Sequence, residues 1–213
     1  MMKNLIYKEL TLSINKFFYL LPILLAALLF IPQWIFMIVF MYFFWLSVPQ
    51  IYSAYLAQQD YEFTTVLPIK KADIALSKGY TLIILEMYHL IFVVIFGVIH
   101  NLLYGSYNYF LDISPAFFGY AFIMFALFNI TFLPLYFKTA YYFGRPLIYA
   151  CIVSNIFGIG LELLTLLVPR ATKILDNPNI FYQIGMLIFG ILFFVGINWV
   201  ALQRSVKNYE LKK

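Results

Sequence analysis

Gln58-Gln59-Asp60-Tyr61-Glu62-Phe63-Thr64-Thr65-Val66-Leu67-Pro68-Ile69-Lys70-Lys71-Ala72-Asp73-Ile74-Ala75-Leu76-Ser77-Lys78-Gly79 is the longest run in this chain that is not simply compatible with lipid. It holds three of the nine carboxylates (Asp60, Glu62, Asp73) and three lysines (Lys70, Lys71, Lys78). Apolar and aromatic residues dominate on both sides of it. Connections longer than about 12–15 residues are uncommon, and those that occur are usually functional or disordered. This one carries too much Tyr, Phe, Val, Leu and Ile to read as disordered. It reads as a docking segment inside an inter-span stretch at 57–80, and the chain around it reads as built for lipid.

Composition supports that outward step. The 213 residues are 64% hydrophobic, 21% aromatic and 11% charged, with mean hydropathy +0.90. Soluble domains carry roughly 25% charge, and a chain this apolar has too little polar surface to wrap itself in. The expected fold class is an all-α membrane protein with one transmembrane domain over 1–213. The net charge of +5 comes from basic residues in separate short loops. They form no stripe interleaved with aromatics, so nucleic acid is not expected as a partner. Cys151 is the one cysteine, which excludes an intramolecular disulfide. Asn129-Ile130-Thr131 matches a glycosylation sequon but lies in an apolar run where glycosylation makes no physical sense.

Residues 1–16 place Met2, Ile6, Leu10 and Ile14 four apart, with Lys3, Asn4, Lys8, Thr11 and Asn15 between them. That spacing gives a helix with an apolar and a basic face, suited to the headgroup region, or an ordinary charged lead-in to the first span. Six spans follow, at 17–31, 34–56, 81–99, 115–137, 146–168 and 180–202. Pro49 should kink the second near its inner end. With the N-terminus in the cytoplasm, twelve of the 14 basic residues fall inside: Lys3, Lys8, Lys16, Lys70, Lys71, Lys78, Lys138, Arg145, Arg204, Lys207, Lys212 and Lys213. Only Arg170 and Lys173 fall outside. The positive-inside rule then puts both termini in the cytoplasm of a multi-pass protein of the cell membrane. A second inner loop runs from Lys138 to Arg145 and includes Tyr141 and Tyr142. Ala150, Ser154 and Gly158 make a small-residue face that serves either the bundle or a dimer. Gly185, Gly190 and Gly196 are expected to loosen the sixth span.

No phosphate-binding loop, His-Glu-x-x-His or Gly-x-Ser-x-Gly is present, so no catalytic residues and no enzymatic activity are expected in this chain. Glu86-x-x-His89 matches half of a di-iron helix motif, but the second pair and two further glutamates are missing, so no metal site is expected. A charge at mid-membrane costs about 2.5–3.5 kcal/mol on insertion scales, so such residues usually face a cavity or a partner. Glu86 and His89 share a helix face about one and a half turns from the inner end of their span. They read either as a polar patch on a translocation path or as a mutually bonded structural pair. Glu162, near the outer end of the fifth span, carries the same two readings.

A helix seated in a partner's groove needs apolar or aromatic anchors flanked by charges that set register. Tyr61, Phe63, Val66 and Leu67 fit as anchors, with Asp60 and Glu62 facing basic residues of a partner. Pro68 ends the element, because the residue before a proline is biased away from helix. Lys70 and Lys71 then hold the following segment near anionic headgroups, each worth about 1 kcal/mol. The rival reading is a loop folded onto its own bundle.

Asp60-Tyr61-Glu62-Phe63, then Leu67-Pro68-Ile69-Lys70-Lys71-Ala72-Asp73-Ile74, then Leu76-Ser77-Lys78-Gly79, on a six-span chain with a basic lead-in, resembles the permease subunits of small bacterial ABC-2-type exporters. The match is to the peptide- and antimicrobial-exporting branch, that of phenol-soluble-modulin and bacitracin-type exporters. The topology covers the whole chain, and the motif about 25 residues. The resemblance implies a type V exporter transmembrane domain with 1–16 as an elbow helix and 57–80 as a cytoplasmic coupling segment. It implies a separate ATP-binding subunit that carries ATP and Mg, with no cofactor in this chain, and a second permease subunit, self or paralogue. Lys138 to Arg145 becomes the second contact, and the region from Glu162 to Asn179 the outer gate. The implied cargo is an amphipathic or antimicrobial peptide or similar hydrophobic molecule, moved through membrane lipid. Two other classes remain: a non-transporting membrane immunity or sensor protein, and an ATP-independent carrier.

Overall fold

The chain begins as a helix that turns through 96°. The computed structural model describes residues 2–66, 68–105, 107–139 and 142–211, the Thr65 side chain excepted. Leu67, Tyr141, Lys212 and Lys213, used above, lie outside the described residues. Helix α1 (Met2–Lys8) widens into a π turn at Glu9–Ser13, and Ile14 is extended. Asn15 then accepts the Phe17 N–H at 3.1 Å, satisfying one of the orphan donors of a new helix start. The chain continues as a 3-10 turn (Lys16–Tyr19), α2 (Leu20–Ala26) and a second 3-10 turn (Ala27–Phe30).

Helix α3 (Ile38–Tyr42), a π turn (Phe43–Ser47) and α4 (Val48–Ala57) make one apolar stretch. Pro49 supplies no N–H to the carbonyl four residues before it, so the ladder widens there and the helix carries on to Ala57. Gln59 takes a left-handed φ of 50° and turns the chain into the short helix α5 (Asp60–Val66). Helix α6 (Lys71–Tyr104) has 34 residues. At 1.5 Å per residue it is about 51 Å long, well beyond the ~30 Å of a bilayer core. It begins ten residues before the Thr81 expected for the third span, so the last nine of the 22 residues from Gln58 to Gly79 are the first part of this helix. Helices α7 (Pro115–Lys138), α8 (Gly144–Leu167), α9 (Pro169–Leu175) and α10 (Ile180–Glu210) complete the chain. Ser114 and Asn179 cap α7 and α10 by accepting the N–H groups of Phe117 and Phe181. All regular elements among the described residues are helical. Five helices are long and apolar enough to cross a membrane, and a sixth if the bent N-terminal pair counts as one.

Helix α7 is the most enclosed of these five. Lipid is as apolar as leucine, so helices associate in it through shape and specific contacts rather than through hydrophobic burial. Phe128, Phe132 and Tyr136, four apart and hence on one stripe of α7, stack in sequence at 5.3 and 5.7 Å between ring centroids. Phe44 lies flat on Phe128 at 4.0 Å, and Tyr52 meets Phe132 edge-on at 4.7 Å. Each such pair contributes about 0.5–1.5 kcal/mol beyond area. On its other side α7 meets α10 backbone to backbone. A Cβ at Gly190 would strike the carbonyl oxygen of Gly119, and one at Gly119 would strike that of Met186. Gly190 therefore tightens the sixth span rather than loosening it, whereas Gly185 and Gly196 face open space. Ala150, Ser154 and Gly158 of α8 all point inward, and a Cβ at Gly158 would meet Met41 and Met124. The small-residue face serves the bundle.

Candidate functional site

The docking segment divides into an inward and an outward half. Asp60 and Thr64, four apart on α5, are buried, and the Thr64 hydroxyl donates to the Asp60 carbonyl at 2.6 Å. The Asp60 carboxylate receives Lys8 Nζ on one oxygen and Lys78 Nζ on the other, each at 2.6 Å. Glu9 Oε1 lies 3.4 Å from Lys8 Nζ and 3.5 Å from Lys78 Nζ. The Lys78 ammonium, wholly enclosed, also sits 3.4 Å from the centroid of the Tyr55 ring. Two cations and two anions thus tie α1 and its π turn, α4, α5 and α6 into one neutral cluster. Burial alone would raise the Asp60 carboxyl, but Lys78 and Lys8 outweigh it and hold the group below its ordinary value. Asp60 therefore does not face a partner. Lys78 lies about two turns inside α6, ahead of the Thr81 expected as the start of the third span, and that boundary hid the pair.

The outward half carries exposed side chains. Glu62 is exposed, Phe63 is 54% exposed and Val66 78% exposed. Tyr61 is half-buried against the bundle, so it anchors α5 inward. Pro68 and Lys70 are exposed, and Lys70 is the N-cap of α6. Lys71 lies over the Tyr209 ring at 5.8 Å, and Phe137 meets the same ring at 5.5 Å. The start of α6 and the ends of α7 and α10 therefore converge, which brings the exposed Lys138 to the end of the bundle that carries α5. Arg145 is also exposed, one residue into α8.

Glu86 and His89 do not bond to each other. Glu86 Oε2 accepts from Asn129 Nδ2 at 2.8 Å, and Asn129 also donates to Asn198 Oδ1 at 2.9 Å, which strings α6, α7 and α10 together. His89 Nδ1 lies 3.1 Å from the Pro22 carbonyl, and its ring stacks on Phe43 at 5.0 Å. His100 repeats the arrangement at the Leu29 carbonyl, 2.6 Å away, so both histidines tie α6 to the first apolar segment. Glu86 is the sixteenth residue of α6, near its middle rather than at its mouth. Both side chains are fully enclosed. Among the described residues no three His, Cys, Asp or Glu side chains gather around a possible metal position.

Glu162 is likewise a fastener. Its two carboxylate oxygens accept the Met37 and Leu111 N–H groups, each at 2.9 Å. It satisfies a helix-start donor of α3 that has no partner within the helix. It also pins the 105–114 loop, which Gln33 holds from the other side through the Tyr107 carbonyl and the Tyr109 N–H. Nearby, the Asp112 N–H donates to Asp176 Oδ1 at 3.2 Å. Burial, and then the neighbouring Asp112 carboxylate, push Asp176 up to about 7. Asp112, Glu162 and the Tyr120 and Tyr182 hydroxyls are the titratable groups around it. Because the folded state holds this proton more tightly, its stabilising contribution is complete below the ordinary Asp value of ~3.9. It is lost as pH rises through about 7. Thermal unfolding in neutral detergent should therefore fall in midpoint from about pH 5 to about pH 8, and Asp176→Asn should flatten that slope.

Over residues 4–210 the chain matches the profile of a family described as ABC-2 family transporter protein. No curated protein and no solved structure matches it.

Proposed function

The chain belongs to the ABC-2 family of transporter proteins, and on that premise we propose that it is the permease subunit of an ATP-driven exporter of amphipathic or antimicrobial peptides. Both termini lie in the cytoplasm, the lead-in lies along the inner leaflet as an elbow helix, and a second permease completes the transporter. ATP and Mg bind to a separate subunit, and this chain performs no chemistry of its own. The observation that carries the reading is α5: a seven-residue helix with Phe63 and Val66 turned outward beside Glu62, clamped to the bundle from behind through Asp60. Exposed aromatic and aliphatic side chains next to a charge are what a groove-seated helix requires. The clamp gives a push on that helix a rigid route into α6. Lys138 and Arg145, exposed near the same end, supply the second contact.

The test is purification of the tagged protein from its native host in mild detergent, with and without the double change Phe63→Ala and Val66→Ser. A soluble ATPase in stoichiometric amount is expected with the native chain, reduced at least tenfold with the variant. Tyr61 is left intact because it supports the bundle. Co-elution that ignores the double change would remove α5 as the docking element. No ATPase under several detergents would favour a sensor, immunity or carrier protein instead.

A further inference from the structure

We propose that the end of the molecule opposite α5 carries a lateral binding site for a single-chain amphiphile with a cationic head. Two adjoining cavities make it. The first is an apolar trough of about 490 Å³ between α6 and α10, floored by α7, with Val94, Phe118, Phe122 and Ile191 in its walls. The second is a polar vestibule of about 330 Å³ that holds Asp112 and Asp176. Ile113, Ser114 and Pro115 line both, so the two adjoin at the loop end of the trough. The trough volume lies within the usual range for small-molecule sites.

The two acidic side chains of the vestibule decide the head group. Asp112 and Asp176 are adjacent carboxylates whose mutual repulsion a cation relieves. An ammonium supplies that charge and donates to carboxylate oxygens. A phosphate or carboxylate head would meet like charge at a few ångströms, which excludes ordinary anionic lipids and disfavours zwitterionic ones through their phosphate. The trough admits one aliphatic chain and the vestibule one head, which sets the ligand class as an alkylammonium or a similarly shaped cationic amphiphile.

The site rests on its own geometry and requires neither the ATPase nor export. If the export reading holds, the site becomes a lateral port through which amphipathic cargo meets the outer leaflet. Native mass spectrometry of the full-length protein in a neutral saccharide detergent tests it without any partner subunit. Dodecylamine, protonated at neutral pH, is titrated beside dodecanoic acid of equal chain length. One saturable dodecylammonium is expected, with no saturable dodecanoate. Asp112→Asn combined with Asp176→Asn should weaken binding at least tenfold, and Val94→Trp, at a lipid-facing position that a larger ring can occupy, should abolish it. Should the aspartate variant fail to fold, the Val94→Trp result and the dodecanoate comparison decide alone. Equal binding of dodecanoate, binding unchanged by Val94→Trp, or a co-purified phospholipid held equally by all variants would each overturn the proposal.

Discussion

Lys78→Met is expected to lower stability by about 3–5 kcal/mol, the cost of breaking one partner out of a buried ion cluster. The change leaves Asp60 and Glu9, both enclosed, to share Lys8, which is itself at the edge of the cluster. Methionine matches the stem of lysine closely, so the loss comes from charge imbalance rather than from a cavity. Adding Asp60→Asn restores neutrality, leaving the Lys8–Glu9 pair, and should recover much of the loss. Chemical unfolding in mixed micelles measures both. A double variant no better than Lys78→Met would show that the imbalance is not the cause. A second readout is local: without Lys78, α5 loses one of the two cations that hold Asp60, so proteolysis between residues 58 and 70 should accelerate in the single variant and slow again in the double.

Gly190→Ala should be comparably severe although it adds a single methyl. The new Cβ meets the carbonyl and Cα of Gly119, which are backbone atoms and cannot turn aside. The two helices must separate along a contact that includes Phe122 against Phe194 at 5.4 Å and the Asn129–Asn198 bond. Overpacking usually costs about 1–3 kcal/mol, and the upper part of that range applies where no side chain can yield. Gly185→Ala and Gly196→Ala, on the same helix with nothing within 4 Å, are the controls. There alanine's better helix propensity should stabilise by up to about 1 kcal/mol. Melting temperatures that move in the same direction for all three would contradict the close crossing.

Much of this architecture was legible because apolar run length and Pro, Gly and Asn punctuation are strong local signals. The expected span starts at 115 and 180 lie one residue after the Ser114 and Asn179 caps, whereas Pro49, expected to kink its span, follows a π turn in a helix that runs on to Ala57. What local reading missed depends on pairing over distance. Lys78 looks like a loop lysine until Asp60 and Glu9 are seen to neutralise it, and a polar N-terminal extension of an apolar helix is cut off by any hydropathy threshold. The lack of any breaker other than Gly79 between Lys71 and Thr81 was the available signal for the longer helix. Glu86 and His89 share a face, as their spacing requires, yet each found a better partner: an amide on α7 for one, a carbonyl of α2 for the other. Spacing shows which side chains are neighbours on one helix. It does not show which of the surrounding helices will outbid that neighbour.

The Glu162 cap sets a timetable for biosynthesis. The Met37 N–H finds its acceptor 125 residues later in the chain, and at about 5–20 residues per second that acceptor is made some 6–25 s after the donor. During that interval the stretch from α3 to α4 already exists with its leading end unfastened, and the 107–114 segment is made while its own clasp is still missing. One carboxylate on the fifth span therefore closes two segments retroactively. Assembly of this end of the bundle is a late event, whereas the ion cluster at the other end is complete as soon as Lys78 has been added.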